Sequence, residues 1–311
     1  MSRPIPSLAA VRAGGKPAVA RALTLIETAD GTAALARLLD EAAADPRADV
    51  LGLTGPPGVG KSTLTDALIA AARARGESVG VVAVDPSSRA SGGALLGDRT
   101  RLAVDPEDER IFVRSMAARD RLGGLSDHAV AAIVLMRAVY DRVIVETVGI
   151  GQSEGDVAAV ADTVLLLVQP GSGDALQFMK AGVMELPDVV CVTKADLGAV
   201  ALRAKADVAG ALSLAATEGW TVPVVAVSVP TGEGLGDLAA ALAAHSAHLD
   251  GADRRARRRA VRARAWIDDA LRVRWGVRGL AALGDRAAEA GEGPFSAILR
   301  LSAALDRRLR S

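Results

Sequence analysis

One stretch constrains this chain more than any other: Leu51-Gly52-Leu53-Thr54-Gly55-Pro56-Pro57-Gly58-Val59-Gly60-Lys61-Ser62-Thr63. It reads as a strand, a glycine-rich loop and the start of a helix. From Gly55 to Ser62 it fits G-x-x-x-x-G-K-[ST], the phosphate-binding P-loop. Glycines let the backbone curl so that successive N–H groups face one anion. The helix that follows aims the positive end of its dipole at the same anion. In this pattern Gly55, Pro56, Pro57, Gly58, Val59, Gly60, Lys61, Ser62 and Thr63 form the cradle. Lys61 would reach the β- and γ-phosphates, and the Ser62 hydroxyl would bind Mg²⁺.

The rest of the chain alternates in a way that suits such a loop. Strand patterns run over Val50–Thr54, Val79–Val84, Ile111–Arg114, Arg142–Glu146, Thr163–Val168, Val189–Thr193 and Val222–Val227. Most are near-continuous Val/Ile/Leu runs, as expected of strands covered on both faces of a parallel sheet. Helical patterns lie between them, over Ser62–Arg75, Gly124–Tyr140, Asp174–Glu185, Leu197–Glu218 and Gly234–His248. The expected fold is therefore α/β, a doubly wound and mainly parallel sheet, with the ligand at the carboxyl ends of the strands. Residues 1–48 carry no strand pattern; Ala18–Glu27 and Thr32–Ala44 show helical spacing, split at Asp30-Gly31, and residues 251–311 are again helical. This predicts a helical N-terminal extension over 1–48, a nucleotide-binding domain over 49–250 and a helical C-terminal arm over 251–311.

Two further motifs fall at strand ends. Val143-Ile144-Val145-Glu146-Thr147-Val148-Gly149 is an apolar strand that ends in a carboxylate, the pattern that helps hold Mg²⁺. Glu146 stands where Asp is usual. Gly149 can offer its N–H to a γ-phosphate, and the segment up to Asp156 has glycines that allow it to switch. Thr193-Lys194-Ala195-Asp196 resembles the guanine-reading N-K-x-D motif. The Asp196 carboxylate would accept from the N1–H and the 2-amino group of guanine, which adenine cannot offer. Lys194 would cover the base, and Thr193 replaces the usual Asn. Ser228-Val229-Pro230 follows the last strand, where a loop would contact the guanine oxygen. Asp85 and Asp98 are further candidate metal or water ligands, each weighed against a turn-stabilising role.

Composition narrows the function. Lys+Arg and Asp+Glu balance at 37 each, so net charge favours neither a nucleic-acid nor a membrane partner. Arginine concentrates at Arg254, Arg255, Arg257, Arg258, Arg259, Arg262 and Arg264 without interleaved aromatics, which reads as a solvated or intersubunit helix face. Cys191 is the single cysteine, so a disulfide within the chain is excluded, and a buried structural thiol is expected. His245 and His248 read as surface helix residues rather than a ligand pair. No apolar run approaches the ~20 residues of a membrane span, and the opening does not read as a signal peptide. A cytoplasmic protein is expected.

The motifs together resemble the MeaB/ArgK family of P-loop GTPases, which includes the human protein of methylmalonic aciduria type A. The resemblance rests on Arg21–Glu27, the P-loop, Val84–Ser88, Gly97–Arg101, Val145–Glu154 and Gly171–Gln177 through Lys180 and Gly182. Thr193 and Val229 depart from the family pattern. The resemblance implies a GTP-hydrolysing chaperone of adenosylcobalamin-dependent methylmalonyl-CoA mutase, or of a related acyl-CoA mutase, which gates cofactor loading and protects or reactivates the mutase. It also implies a homodimer held by the C-terminal arm, and a Mg²⁺ site served by Ser62, Asp85, Asp98 and Glu146. Lys61 and Glu146 would act in catalysis through phosphate and metal. Gln152 is a candidate to orient water, and no obvious catalytic base stands elsewhere. Slow intrinsic turnover, raised by the mutase, is therefore expected. Three other readings are a kinase of a transport-system protein, a metal-insertion GTPase and a plain arginine-rich binding module. The first needs an acceptor pocket and the second a Cys/His cluster. The third would keep its function without Lys61.

Overall fold

The computed structural model describes residues 4–85, 102–117, 125–147, 154–171, 186–214, 219–283, 289 and 291–310. The described residues contain seven strands: β1 (Asp49–Thr54), β2 (Val79–Asp85), β3 (Ile111–Ala117), β4 (Arg142–Thr147), β5 (Thr163–Val168), β6 (Val189–Thr193) and β7 (Val224–Val227). They form one sheet in the order β3-β2-β4-β1-β5-β6-β7, with every pairing parallel. The strand patterns of the sequence are thus all present, and β3 runs three residues further than its apolar run suggested. The sheet puts β1 at its centre, between β4 and β5. The chain leaves β1 towards one edge and returns past it to the other, which creates a crevice at the carboxyl end of β1.

Alternation along each strand feeds two apolar layers, as the unbroken Val/Ile/Leu runs require. Val143 and Val145 face one layer and Ile144 the other. The first layer is covered by α1 (Leu8–Ala13), α2 (Gly15–Thr28), α3 (Ala33–Ala44), α5 (Asp127–Val139) and α6 (Glu154–Val160). The second is covered by α4 (Lys61–Ala74) and α8 (Leu235–Asp250), while α7 (Ala199–Leu214) closes a smaller cluster over β5 and β6. Two of these helices, α1 and α6, carry no helical pattern in the sequence reading. Gly52 in β1 is explained by α6. A Cβ there would come within 2.4 Å of the Val157 side chain and 2.8 Å of Ala161.

The C-terminal residues form α9 (Arg254–Leu283), broken at Gly276, and α10 (Pro294–Arg310). They pair through Ile267, Leu271, Leu280, Ala297 and Leu301. α10 returns to α3, where the Asp40 carboxylate accepts from the backbone N–H groups of Phe295 (2.9 Å) and Ser296 (3.0 Å). This supplies partners to two of the otherwise unpaired donors of a helix start.

Part of the arginine cluster is not a solvated face: Arg254 and Arg257 are exposed, but four other members are engaged within the chain. Arg255, Arg258, Arg259 and Arg262 share one face of α9, and that face lies on the amino ends of β1, β5 and β6. Arg255 bonds Asp49, Arg258 bonds Asp188 (2.9 Å), Arg259 bonds Asp162 (2.7 Å), and Arg262 donates to the Ala161 carbonyl. His245 corrects a second expectation. It is buried: Nδ1 lies 2.8 Å from Thr163 Oγ1 and Nε2 lies 3.2 Å from Asp188, with the ring tilted against Trp220. Cys191 is buried in the sheet, and burial pushes its thiol up to about 12, in line with a structural thiol.

Candidate functional site

The P-loop emerges from the end of β1 and curls into α4. Gly55 adopts φ +146°, Gly58 φ +73° and Gly60 φ +103°, a region that side chains with a Cβ rarely enter. At Gly55 the space is also closed, because a Cβ would come within 2.5 Å of the Leu167 carbonyl oxygen. Val59 anchors the curl by burying its side chain among Leu53, Leu64 and their neighbours. Its role at a ligand would thus be through its backbone alone. Gly60 is the N-cap of α4 and supplies no side-chain cap. The first N–H groups of α4 therefore keep the donor capacity that suits an anion.

Lys61 opens α4 and is buried. Its Nζ donates to the carbonyls of Gly55 (2.8 Å) and Pro56 (3.0 Å), so the ammonium sits over the curl of the loop itself. One residue on, Ser62 Oγ donates to Glu146 Oε1 at 2.9 Å. The register of the sheet sets this contact. Leu53 of β1 pairs with Glu146 of β4, which brings the carboxylate beside the loop that β1 feeds. Thr65 Oγ1 donates to Glu146 Oε2 at 3.2 Å. Thr65 is fully buried and is a residue that the sequence reading missed. Its position three residues after Ser62, on the same helix face, was the available signal. A hydroxyl and a carboxylate joined in this way, next to a lysine and an uncapped helix start, are a hard oxygen donor set that fits Mg²⁺ with a phosphate.

The base-reading motifs lie along the same edge. Thr193 closes β6, and its buried hydroxyl donates to the Val168 carbonyl of β5 at 3.3 Å. It therefore ties two strand ends together. Lys194 takes up a left-handed conformation (φ 57°), and its Nζ donates to Gln169 Oε1 at 2.9 Å. Asp196 is exposed in a short 3-10 turn directly after it. Ser228 follows β7, with its N–H bonded to the Glu233 carbonyl (3.0 Å), while Val229 and Pro230 lead the turn. The Ser228 hydroxyl is buried and makes no hydrogen bond. Asp85 ends β2 at this edge. The Asp85 side chain, Asp98, Gly149 and Gln152, with most of the switch segments 85–101, 149–156 and 171–185, lie outside the described residues.

Residues 19–275 match the family model described as "Methylmalonyl Co-A mutase-associated GTPase MeaB". The chain belongs to the MeaB family. A Caulobacter vibrioides protein carrying a GTPase name is 38% identical over 300 residues, 92% of each chain. A Pyrococcus horikoshii protein, also named as a GTPase, is 41% identical over 81% of this chain and 80% of its own. The mouse methylmalonic aciduria type A homolog is 40% identical over 193 residues, which are 60% of this chain and 46% of the mouse protein. Among solved structures, one titled "LAO/AO transport system kinase" aligns with a TM-score of 0.69 at 26% identity and covers 96% of both chains. A hydrogenase maturation factor HypB from Archaeoglobus fulgidus shares the fold, with a TM-score of 0.50 at 17% identity. As a MeaB-family P-loop GTPase, the chain has a fold that implies a bound guanine nucleotide.

Among the described residues no group of three or more His, Cys, Asp or Glu side chains is placed to hold a metal, and no helix is long and apolar enough to cross a membrane.

Proposed function

We propose that this protein hydrolyses GTP to GDP and phosphate with Mg²⁺, and that it uses the nucleotide state to act on a cobalamin-dependent acyl-CoA mutase, methylmalonyl-CoA mutase or a relative. The observation that carries this reading is the Ser62–Glu146 hydrogen bond beside Lys61, on the same sheet edge as Lys194 and Asp196. Phosphate chemistry and base choice are thereby served from one crevice. The P-loop N–H groups and Lys61 would hold the phosphates, and Asp196 would select guanine. Ser62 and Glu146 would hold Mg²⁺, with Asp85 and Asp98 as further ligands. When bound, Mg²⁺ supplies charge neutralisation at the phosphate oxygens. Glu146 keeps Ser62 oriented. Gly149 and Gln152 would stand next to the γ-phosphate, with Gln152 orienting the attacking water.

The three-part organisation is part of the same reading: extension over 1–48, GTPase domain over 49–250 and arm over 251–311. A homodimer through the arm is supported by Val261, Val273 and Val277, which stay exposed on α9. Family membership and the likeness to the type A homologs support the mutase as partner. A cytoplasmic location goes with this reading.

The test is release of inorganic phosphate from GTP, with and without methylmalonyl-CoA mutase, for the wild type and Lys61→Ala. Slow release that rises several-fold with the mutase and is lost in Lys61→Ala is expected. Fast release indifferent to the mutase would contradict the switch. Transfer of the label to a protein would instead favour a kinase.

A further inference from the structure

A cavity lies away from the P-loop, among α3, α5, α6, α9 and α10, with a volume of about 1140 Å³. That is ample for a metabolite-sized ligand, since such pockets commonly measure roughly 300–1,000 Å³. Its lining includes Arg137, Arg262, Trp266, Phe295, Ile133 and Val134. Two donors in these walls have no partner: Arg137 Nε and Trp266 Nε1 are both buried and make no hydrogen bond. Buried N–H groups of this kind are costly unless something accepts from them. Burial and the positive charge of Arg259 together pull Arg137 down to about 10; burial and Arg258 do the same to Arg262. Asp162 and Asp49 act on Arg137, and Asp162 and Asp188 on Arg262, in the opposite sense, but burial and like charge prevail, so an added negative charge would still relieve both cations.

The carboxylates around the cavity do not cancel this. Asp40 is taken by the N–H groups that start α10, Glu292 by Arg300, and Glu41 is exposed at the rim. Asp269 is the remaining one, and it already has a partner. Trp266 and Phe295 stack obliquely, with centroids 4.7 Å apart, and add an aromatic wall to the aliphatic one. We propose that this cavity binds a small organic anion, with its charged group on Arg137 and Trp266 Nε1 and its apolar body against Ile133, Val134 and Phe295. Ala159 and Val160, at the end of α6, also line the cavity. A ligand there would therefore touch the helix that follows the segment 149–153.

The test uses the full chain saturated with Mg-GDP and two fluorescent probes. One is 8-anilinonaphthalene-1-sulfonate; the other, N-phenyl-1-naphthylamine, is its neutral counterpart. The sulfonate is expected to bind at one site per chain. Arg137→Gln should weaken it at least about tenfold, and Trp266→Phe about threefold, while the neutral probe changes by less than about twofold. Unchanged GDP affinity in each variant reports an intact fold. If Arg137→Gln does not fold, Trp266→Phe alone decides. Equal affinity of wild type and variants for the sulfonate would overturn the proposal, as would equal loss of both probes. Binding of the sulfonate only when Mg-GDP is omitted would overturn it too, by assigning the probe to the P-loop.

Discussion

Glu146 is one methylene longer than the aspartate usual at the end of such a strand, and both of its oxygens are used. Ser62 takes one and Thr65 the other. Replacing Thr65 by Val keeps the shape and removes one hydroxyl from a buried carboxylate. A loss of stability of about 1–2 kcal/mol is expected, read from the denaturation midpoint, together with a higher Mg²⁺ requirement for hydrolysis. Glu146→Gln keeps hydrogen-bonding capacity but removes the charge, and turnover at fixed Mg²⁺ should fall at least about 100-fold. Asp196→Asn should cut the preference for GTP over ATP by at least about tenfold, measured by competition, because the acceptor for two guanine donors is lost. The P-loop glycines, Lys61, Ser62 and Glu146 were all legible from spacing. Thr65 was not, because a threonine inside an amphipathic helix looks like any other β-branched residue until its partner strand is known.

Among the elements, the seven strands were the easiest to read. Strands covered on both faces need unbroken apolar runs, and few other structures do. α6 was hidden because seven residues are too short for a helical period to show, and because its glycine suggested mobility instead. Its packing makes a direct test. Gly52→Ala would push a methyl group into Val157 and Ala161. It should cost about 1–3 kcal/mol and shift α6, seen as a lower thermal midpoint with altered nucleotide affinity. The docking of α9 was hidden for another reason. A run of arginines gives no sign of its partners. Yet an aspartate stands at or just before the first residue of β1, β5 and β6, which are neighbours in the sheet: Asp49, Asp162 and Asp188. That regularity was present in the sequence and only the sheet order gives it meaning. His245 was misplaced likewise, since its burial depends on Thr163 and Asp188 from two other strand starts.

At the scale of the whole molecule, the nucleotide crevice and the arm occupy opposite ends of the same strands. The arm grips the amino edge through partly buried charge pairs, and the crevice opens at the carboxyl edge. Asp162 is buried, which alone would raise its pKa; the Arg259 hydrogen bond and charge, the Val50 N–H and Arg137 outweigh this and hold it below the usual value of 3.8. Asp188 is held low in the same way, with burial outweighed by His245, Arg258 and the Val164 N–H. A carboxylate whose pKa is lower folded than unfolded adds stability above its unfolded value. That stability is lost as pH falls through the folded value. Thermal midpoints measured downward from neutral pH should therefore drop in the acid range below about pH 4. Arg259→Met leaves Asp162 buried without its main partner and should lower the midpoint by roughly 6–10 °C at neutral pH. The gap to wild type should narrow in acid, where Asp162 becomes neutral.

The central claim is that the curl ahead of Lys61 holds a guanine nucleotide. Calorimetric titration of Mg-GTP into the wild type and Lys61→Ala, with Mg-ATP as the comparator, tests it most directly. The expected result is one GTP bound per chain, binding weakened at least about 100-fold in Lys61→Ala, and no saturable heat with ATP. Equal heats for both nucleotides, or GTP binding indifferent to Lys61, would contradict it.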